Sequence, residues 1–341
     1  MFMDLKNLEK ILENEPKYRI KQAKEAVFQK TIADWDKATN LPKDLREKLS
    51  GECPLEISAE VFPSEKNDCL KARIVLKDGL KIETVLMRHN DKRNTVCVSC
   101  QVGCALACEF CATGRMGFKR NLQPLEIVEQ VLFFSRYLKK EGRRVTNVVF
   151  MGMGEPFLNY DTVMAAIRIL NDKNSLNIGA RRISVSTVGI PEGIKKLSEE
   201  KLQINLAVSL HAADNVLRSK IMPINKKYPI ERVLRAVDDY IKKQKRKVMF
   251  EYLLIKDVND SDSCAIRFGK MMKKPFYFLN LILYNPTGIF KPPEKERVKE
   301  FKNILEKMGV DFSERYRFGR SAKAACGQLA SLKTRSLIKS K

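Results

Sequence analysis

The sequence of 341 residues contains no apolar run approaching the roughly 18 residues that a membrane-spanning helix needs, so a transmembrane protein is not expected. Residues 1–16 are charged throughout and lack the apolar stretch of a signal peptide, which predicts a cytoplasmic location. The 16 glycines and 13 prolines are ordinary numbers and exclude a collagen-like or low-complexity chain. No G-x-G-x-x-G motif follows the first predicted strand, which makes a Rossmann sheet the weaker alternative for the fold.

Positive charge dominates the polar residues. Lysine and arginine number 64 against 41 aspartates and glutamates, which gives a formal net charge of +23. The basic residues form runs at 139–144 and 242–247 and in the C-terminal tail. A solvated helix end explains any single run equally well. The sum of the runs, however, favours a polyanionic partner, most simply nucleic acid.

The chain has nine cysteines, and five of them fall within one short segment: Cys97, Cys100, Cys104, Cys108 and Cys111. Such clustering in an intracellular protein indicates metal binding or redox catalysis rather than disulfides. The spacing Cys104-x3-Cys108-x2-Cys111 suits three irons of a [4Fe–4S] cluster and leaves the fourth iron open. The alternative is structural zinc held by the pairs 97/100 and 108/111, but these pairs lie too close together for an ordinary zinc ribbon, and Cys104 would be idle.

Hydrophobic periodicity divides the chain into three parts. Residues 1–85 combine helical spacing with short alternating strands and a hairpin turn at 77–79, which predicts a small helical and β accessory domain that contacts RNA. Residues 86–320 alternate apolar strands with amphipathic helices, which predicts a parallel sheet covered by helices. Residues 321–341 are predicted to form a loop that carries the catalytic cysteine, followed by a basic tail.

The predicted strands of the second part are 95–102, 145–151, 182–187, 204–210, 247–255 and 276–285, and three predicted helices are 124–140, 230–243 and 294–308. Six or seven such units predict an α/β fold with a partial (β/α)6-type barrel. Most of these strands run into polar or glycine-containing segments. Because the active site of a barrel lies at the carboxyl ends of its strands, we expect one site there.

With Phe110 directly before Cys111, the three-cysteine spacing is the signature of radical S-adenosylmethionine (SAM) enzymes. Further motifs, in the same order along the chain, resemble the RlmN/Cfr family of radical SAM rRNA adenine methyltransferases. They are the segments 97–114, 151–156, 209–211, 222–228 and 324–330. The resemblance covers most of the chain and implies a partial radical SAM barrel with a small N-terminal domain.

The resemblance also implies a reaction: methylation of C2 of adenosine 2503 in 23S rRNA and of adenosine 37 in tRNA. Adenine C2 has no nucleophilic lone pair, so direct methyl transfer from SAM does not work and a radical route is required. The implied cofactors are a [4Fe–4S] cluster and two molecules of SAM per turnover, with an electron donor such as flavodoxin or ferredoxin. Pro156 matches the C2 enzymes, but C8 methylation of the same adenosine stays open, as does, more remotely, a non-catalytic zinc-stabilised RNA-binding protein.

By resemblance, the cluster ligands are Cys104, Cys108 and Cys111. The residues that correspond to SAM contacts are Gly154, Glu155, Ser186, Ser209, Leu210, His211 and Asn285. For the glycines at 152 and 154, a tight turn between a strand and a loop is the alternative explanation, and both roles can hold.

Three further residues have implied catalytic roles. Cys326 resembles the cysteine that carries the methyl group as S-methylcysteine and becomes covalently bonded to the RNA base. Cys97 resembles the cysteine that releases this adduct by forming a transient disulfide with Cys326. Glu83 resembles the base that removes the C2 proton, and an ordinary strand carboxylate is its alternative. The chain departs from the family at Cys100, where serine is usual, and at Arg320 and Lys323, where the usual stretch is acidic.

Overall fold

The computed structural model describes residues 8, 10–316, 318, 319, 322 and 324–329. The described strands are β1 (Ala59–Pro63), β2 (Cys69–Val75), β3 (Lys81–Arg88), β4 (Asn94–Cys97), β5 (Gln101–Gly103), β6 (Phe118–Asn121), β7 (Asn147–Phe150), β8 (Ile183–Thr187), β9 (Asn205–Ser209), β10 (Val248–Leu254), β11 (Tyr277–Leu283) and β12 (Phe312–Glu314). Arg320, Lys323 and the predicted basic tail at 331–341 lie outside the described residues.

The helices pack around the sheet or in the N-terminal segment. They are α1 (Lys17–Phe28), α2 (Lys43–Glu52), α3 (Ala112–Arg115), α4 (Pro124–Lys139), α5 (Tyr160–Asn171), α6 (Pro191–Glu199), α7 (Asn215–Ile221), α8 (Ile230–Gln244), α9 (Asp262–Met272) and α10 (Lys295–Lys307). None of the helices in the described part of the chain has the length and apolarity needed to span a bilayer.

Ten strands form one sheet in the order β1-β2-β3-β4-β7-β8-β9-β10-β11-β12. From β4 onward every neighbouring pair is parallel, because each strand returns through a helix that packs on the outside. The strands β1 and β12 are the two ends of the sheet, so it does not close. The predicted α/β fold with a partial barrel is confirmed.

The N-terminal strands extend the barrel sheet. The β2–β3 hairpin turns at Gly79, whose φ of 78° favours glycine and whose N–H donates to the carbonyl of Leu76. Strand β3 pairs antiparallel with β4, so the chain passes from the accessory segment into the barrel without leaving the sheet. The predicted boundary at residue 85 therefore falls inside β3.

The strand predicted over 95–102 is wrong in its second half. Strand β4 ends at Cys97, and residues 101–103 pair with β6 in a separate two-stranded sheet. At the break, Ser99 exchanges two hydrogen bonds with the side chain of Gln130 on α4, one of them from its N–H at 2.8 Å. The buried side chain of Gln130 satisfies the backbone that the sheet releases, so the chain can turn away towards the cysteine cluster.

Candidate active site

Most of the predicted site residues meet at the carboxyl edge of the parallel sheet. Five of the seven predicted SAM contacts line one cavity there together with Cys111 and Cys326: Gly154, Glu155, Ser186, Ser209 and His211. The hydroxyl oxygens of Ser186 and Ser209 lie 3.5 Å apart, because β8 and β9 are neighbouring parallel strands. The rule that barrel strands present their functional residues at the carboxyl end therefore holds for this group.

The glycine-containing loop after β7 passes so close to the segment after β4 that side chains do not fit. A Cβ atom on Gly152 would lie 2.7 Å from the carbonyl oxygen of Val98, and one on Gly154 would lie 2.6 Å from Cβ of Gln101. Gly154 also has a φ of 102°, which non-glycine residues rarely adopt. Both glycines are thus required by the backbone, whatever else they contact.

Glu155 follows this loop with only 3% of its surface exposed. Its two carboxylate oxygens accept hydrogen bonds from the N–H groups of Phe157 at 3.0 Å and Val188 at 2.9 Å. Burial nevertheless raises the pKa of Glu155 to about 7. A cation placed beside this carboxyl would favour its ionised form, so the position suits an amino group.

His211 lies two residues after the end of β9 in a left-handed conformation, with a φ of 61°. Its Nδ1 accepts a hydrogen bond from the N–H of Leu253, and the ring packs edge-on against Phe110 at 4.9 Å. Burial, and to a lesser extent the charge of Arg218, lower its pKa to about 3. The imidazole is therefore neutral at physiological pH and is not a cation in this cavity.

Leu210 does not reach the cavity with its side chain. It is fully buried in the core, and its carbonyl oxygen accepts a hydrogen bond from Arg218. Asn285 lies outside this cavity as well, in the second one described below.

Arg218 on α7 is a central residue that the sequence analysis missed. Its side chain has no exposed surface, and its guanidinium donates to oxygens from three segments of the chain. The acceptors are the carbonyls of Val188, Ser209, Leu210 and Tyr228 and the side chain of Asn225. Burial lowers the pKa of Arg218 to about 10, so it stays charged at neutral pH.

The three predicted cluster ligands share one loop at the mouth of the barrel. Cys108 packs against Ile221 and Met222, while Cys104 and Cys111 are half-buried. Burial raises the pKa of Cys104 to about 11, and the charge of Cys111 contributes to this rise. Cys100 is buried beside this loop, and all nine cysteines are free thiols.

The C-terminal segment closes over this loop. Hydrogen bonds run from the N–H of Ala112 to the carbonyl of Gly327 at 2.8 Å and from the Thr113 hydroxyl to the carbonyl of Leu329 at 2.6 Å. The side-chain N–H of Asn285 donates to the carbonyl of Cys326 at 3.4 Å. These contacts hold Cys326 at the junction between the main cavity and a second one.

The second cavity contains Cys97, Cys326, Asn285 and Arg315. Burial, and to a lesser extent the charge of Cys326, raise the pKa of the Cys97 thiol to about 12, although the charge of Arg315 acts in the opposite direction. The pKa of Arg315 is itself raised, mainly by the charge of Cys326. Arg315 was not predicted, because it follows the three-residue strand β12, which has no apolar run to mark it.

Glu83 lies on β3 with 1% of its surface exposed. Its Oε1 is 3.3 Å from Nζ of Lys71 and 3.7 Å from Nε of Arg73 on the neighbouring strand. Val85, two residues further along the same face of β3, lines the second cavity. Glu83 therefore sits next to the cavity of the two cysteines but is held in a buried ion-pair network.

The residues present fit a [4Fe–4S] cluster and SAM. In the described part of the chain, no three histidine, cysteine or carboxylate side chains converge on a single metal ion. The three thiols of the loop at 104–111 can each bind a different iron of a cubane, which leaves the fourth iron for another ligand. Oδ1 of Asn285 is buried and has no hydrogen-bond partner among the described residues, so it is available to a donor on a bound molecule.

Comparisons with known proteins agree with this geometry. The family model of the radical SAM superfamily matches residues 98–267. A probable dual-specificity RNA methyltransferase RlmN from Dictyoglomus thermophilum is 45% identical and is aligned over 94% of this chain and 93% of its own. The ribosomal RNA large subunit methyltransferase N from Nitrosopumilus maritimus is 42% identical over 92% of each chain. A solved radical SAM methyltransferase from Sphaerobacter thermophilus superposes with a TM-score of 0.91 at 42% identity, covering 96% of this chain and 97% of that one.

The open parallel barrel and its three-cysteine loop define a radical SAM enzyme, a class that implies a [4Fe–4S] cluster and SAM. Within that class, this chain belongs to the RlmN family.

We expect Arg218→Met to destabilise the protein by about 3–5 kcal/mol, because methionine has similar bulk but leaves several buried carbonyl oxygens without a donor. Arg235→Met, on the exposed face of α8, is the matched control and should change the melting temperature little. Thermal unfolding of both variants measures the difference. Equal melting temperatures would show that the guanidinium does not hold these segments together.

Proposed function

We propose that this protein methylates C2 of adenosine 2503 in 23S rRNA and of adenosine 37 in tRNA. The RNA substrate is supported by the names of its relatives and by the net charge of +23. The observation that carries the proposal is the position of Cys326. This cysteine lines both the cavity of the SAM-contact residues and the cavity of Cys97. A residue that receives a carbon from SAM and is later attacked by Cys97 needs access to both cavities.

Cys104, Cys108 and Cys111 would hold the cluster, and Glu155, Ser186, Ser209 and His211 would surround SAM. Asn285 would contact SAM from the neighbouring cavity. When bound, the two groups supply one-electron reduction and the carbon that is transferred. The imidazole of His211 is neutral and so adds no positive charge to the cavity. The buried carboxyl of Glu155 is stabilised in its ionised form by a nearby cation, and the amino group of SAM is such a cation.

Cys326 carries the transferred carbon on its sulfur as a methyl group. One hydrogen atom would pass from this methyl group to the bound SAM and cluster, so that its carbon can bond to adenine C2. The one electron released when the C2 proton leaves would return to the same groups. The thiolate of Cys97 then attacks the sulfur of Cys326. An S–S bond forms, the S–C bond breaks, and its electron pair stays on the carbon, which takes up a proton as the product methyl group. A thiol reductant returns the disulfide to two thiols.

Burial and the charge of Arg315 act in opposite directions on the reactivity of the Cys97 thiol in this scheme. Burial keeps the sulfur protonated and unreactive while the site waits, since its pKa is about 12. The guanidinium of Arg315 favours the thiolate at the moment of attack, because it lines the same cavity as both cysteines.

Glu83 is the proposed acceptor of the C2 proton. Lys71 and Arg73 beside it favour an ionised carboxylate, which is the form that accepts a proton. A base in this role acts on the covalent RNA adduct, so its position next to the Cys97–Cys326 cavity supports the assignment.

Nucleoside analysis of RNA from a strain that lacks this gene tests the reaction. We expect 2-methyladenosine to disappear from position 2503 of 23S rRNA and from position 37 of tRNA and to return on complementation. Mass spectrometry of fragments distinguishes C2 from C8 products. Loss of 8-methyladenosine instead, or unchanged modification at both positions, would contradict the proposal.

The two cysteines outside the cluster are expected to fail at different steps. Cys97→Ala should form the protein–RNA bond but not break it, so the protein should purify with covalently attached RNA. Cys326→Ala should yield neither adduct nor product, and the double variant should behave in the same way. Gel electrophoresis under denaturing conditions with ribonuclease treatment detects the adduct. If Cys97→Ala is free of RNA and turns over normally, release depends on another residue.

A further inference from the structure

A basic groove lies at the end of the barrel opposite to the active site. It has a volume of about 550 Å³ and is bordered by the end of α1, the end of α4, the loop after α5 and the residues just before β7 and β8. These are the amino ends of the parallel strands, whereas the residues described above lie at their carboxyl ends. A volume of this size is in the usual range for sites that bind small molecules.

The charged side chains that line the groove are all cationic: Lys139, Arg143, Arg144, Lys173 and Arg182. No aspartate or glutamate lines it within the described residues. Lys139 donates to the carbonyl of Lys30, which stabilises the end of α1 against α4. The other four side chains form no ion pair in the part of the chain that the structure describes, so their mutual repulsion is not offset by protein groups.

Two buried hydroxyl groups in the same groove have no hydrogen-bond partner among the described residues: those of Thr31 and Ser175. Ser175 is 7% exposed, so its hydroxyl is well removed from bulk water. Thr31 has a φ of 48°, which is unusual for a β-branched residue and costs conformational energy. Unsatisfied buried hydroxyls beside uncompensated arginines indicate a ligand that accepts hydrogen bonds and carries negative charge.

Phosphate groups meet both conditions, because their oxygens accept hydrogen bonds in the forked geometry that guanidinium groups offer. We propose that this groove binds the phosphates of a nucleotide, either as a free polyphosphate or as part of an RNA strand. The site does not take part in the reaction at the carboxyl edge, so its ligand either regulates the enzyme or anchors RNA remote from the target base. Both ligands would present the same phosphate groups to the groove, and they differ in the rest of the bound molecule.

The test compares R143E/R144E with K245E/K270E, a control with the same change in net charge at exposed positions that do not line the groove. Calorimetric titration of the reconstituted holoenzyme with pyrophosphate, with ATP and with a short single-stranded RNA gives the three affinities. If the ligand is a free polyphosphate, we expect R143E/R144E to bind pyrophosphate and ATP at least tenfold more weakly than the control does. If the ligand is an RNA strand, we expect the tenfold loss for RNA alone. Equal affinities of the two variants for all three probes would overturn the proposal.

Ser175→Ala provides an independent test of the unpartnered hydroxyl. Without ligand, its melting temperature should equal that of the wild type, because no hydrogen bond within the described protein is lost. Its affinity for the probe that binds should fall several-fold. A lower melting temperature with unchanged affinity would show that the hydroxyl serves the fold and would contradict the proposal. Neither result depends on methylation, so the groove and the proposed reaction can fail separately.

Discussion

The guanidinium of Arg218 is the interaction on which the site depends. The carboxyl ends of β8 and β9 and the segment around residues 222–228 each present carbonyl or amide oxygens towards one buried point. Without a donor there, burying these oxygens would be unfavourable, and the loops would open to water. The same charge lowers the pKa of His211 and lies near Cys108, so one residue sets both the shape and the electrostatics of the cavity. The family motif at 222–228 contributes two of its acceptors, Asn225 and Tyr228.

A second constraint comes from the C-terminal segment. Its backbone is hydrogen-bonded to α3, directly after the cluster loop, so the sulfur of Cys326 is held between the two cavities. This explains how a residue so distant in sequence from Cys97 shares a cavity with it. The side-chain N–H of Asn285 donates to the Cys326 carbonyl and so adds a further contact that fixes this loop.

Much of this architecture could be predicted from the sequence, since strands buried on both faces are continuous apolar runs and their ends are marked by polar residues. The break after Cys97 could not be predicted, because it depends on Gln130 bonding Ser99 from a distant helix. Arg218 and Arg315 were missed for a related reason: an arginine in a basic sequence gives no sign that it will be buried. The basic groove depends on three separate segments meeting at the amino ends of the strands, and their separate charges look like ordinary surface.

The central claim is that Cys326 carries the transferred carbon, and peptide mass spectrometry of the purified holoenzyme tests it most directly. After incubation with SAM that bears a deuterated methyl group, the account predicts a labelled methyl on the peptide containing Cys326 and its loss when RNA substrate is added under reducing conditions. If that peptide stays unmodified while RNA gains the label, or if the label lies on Cys97, the account is contradicted.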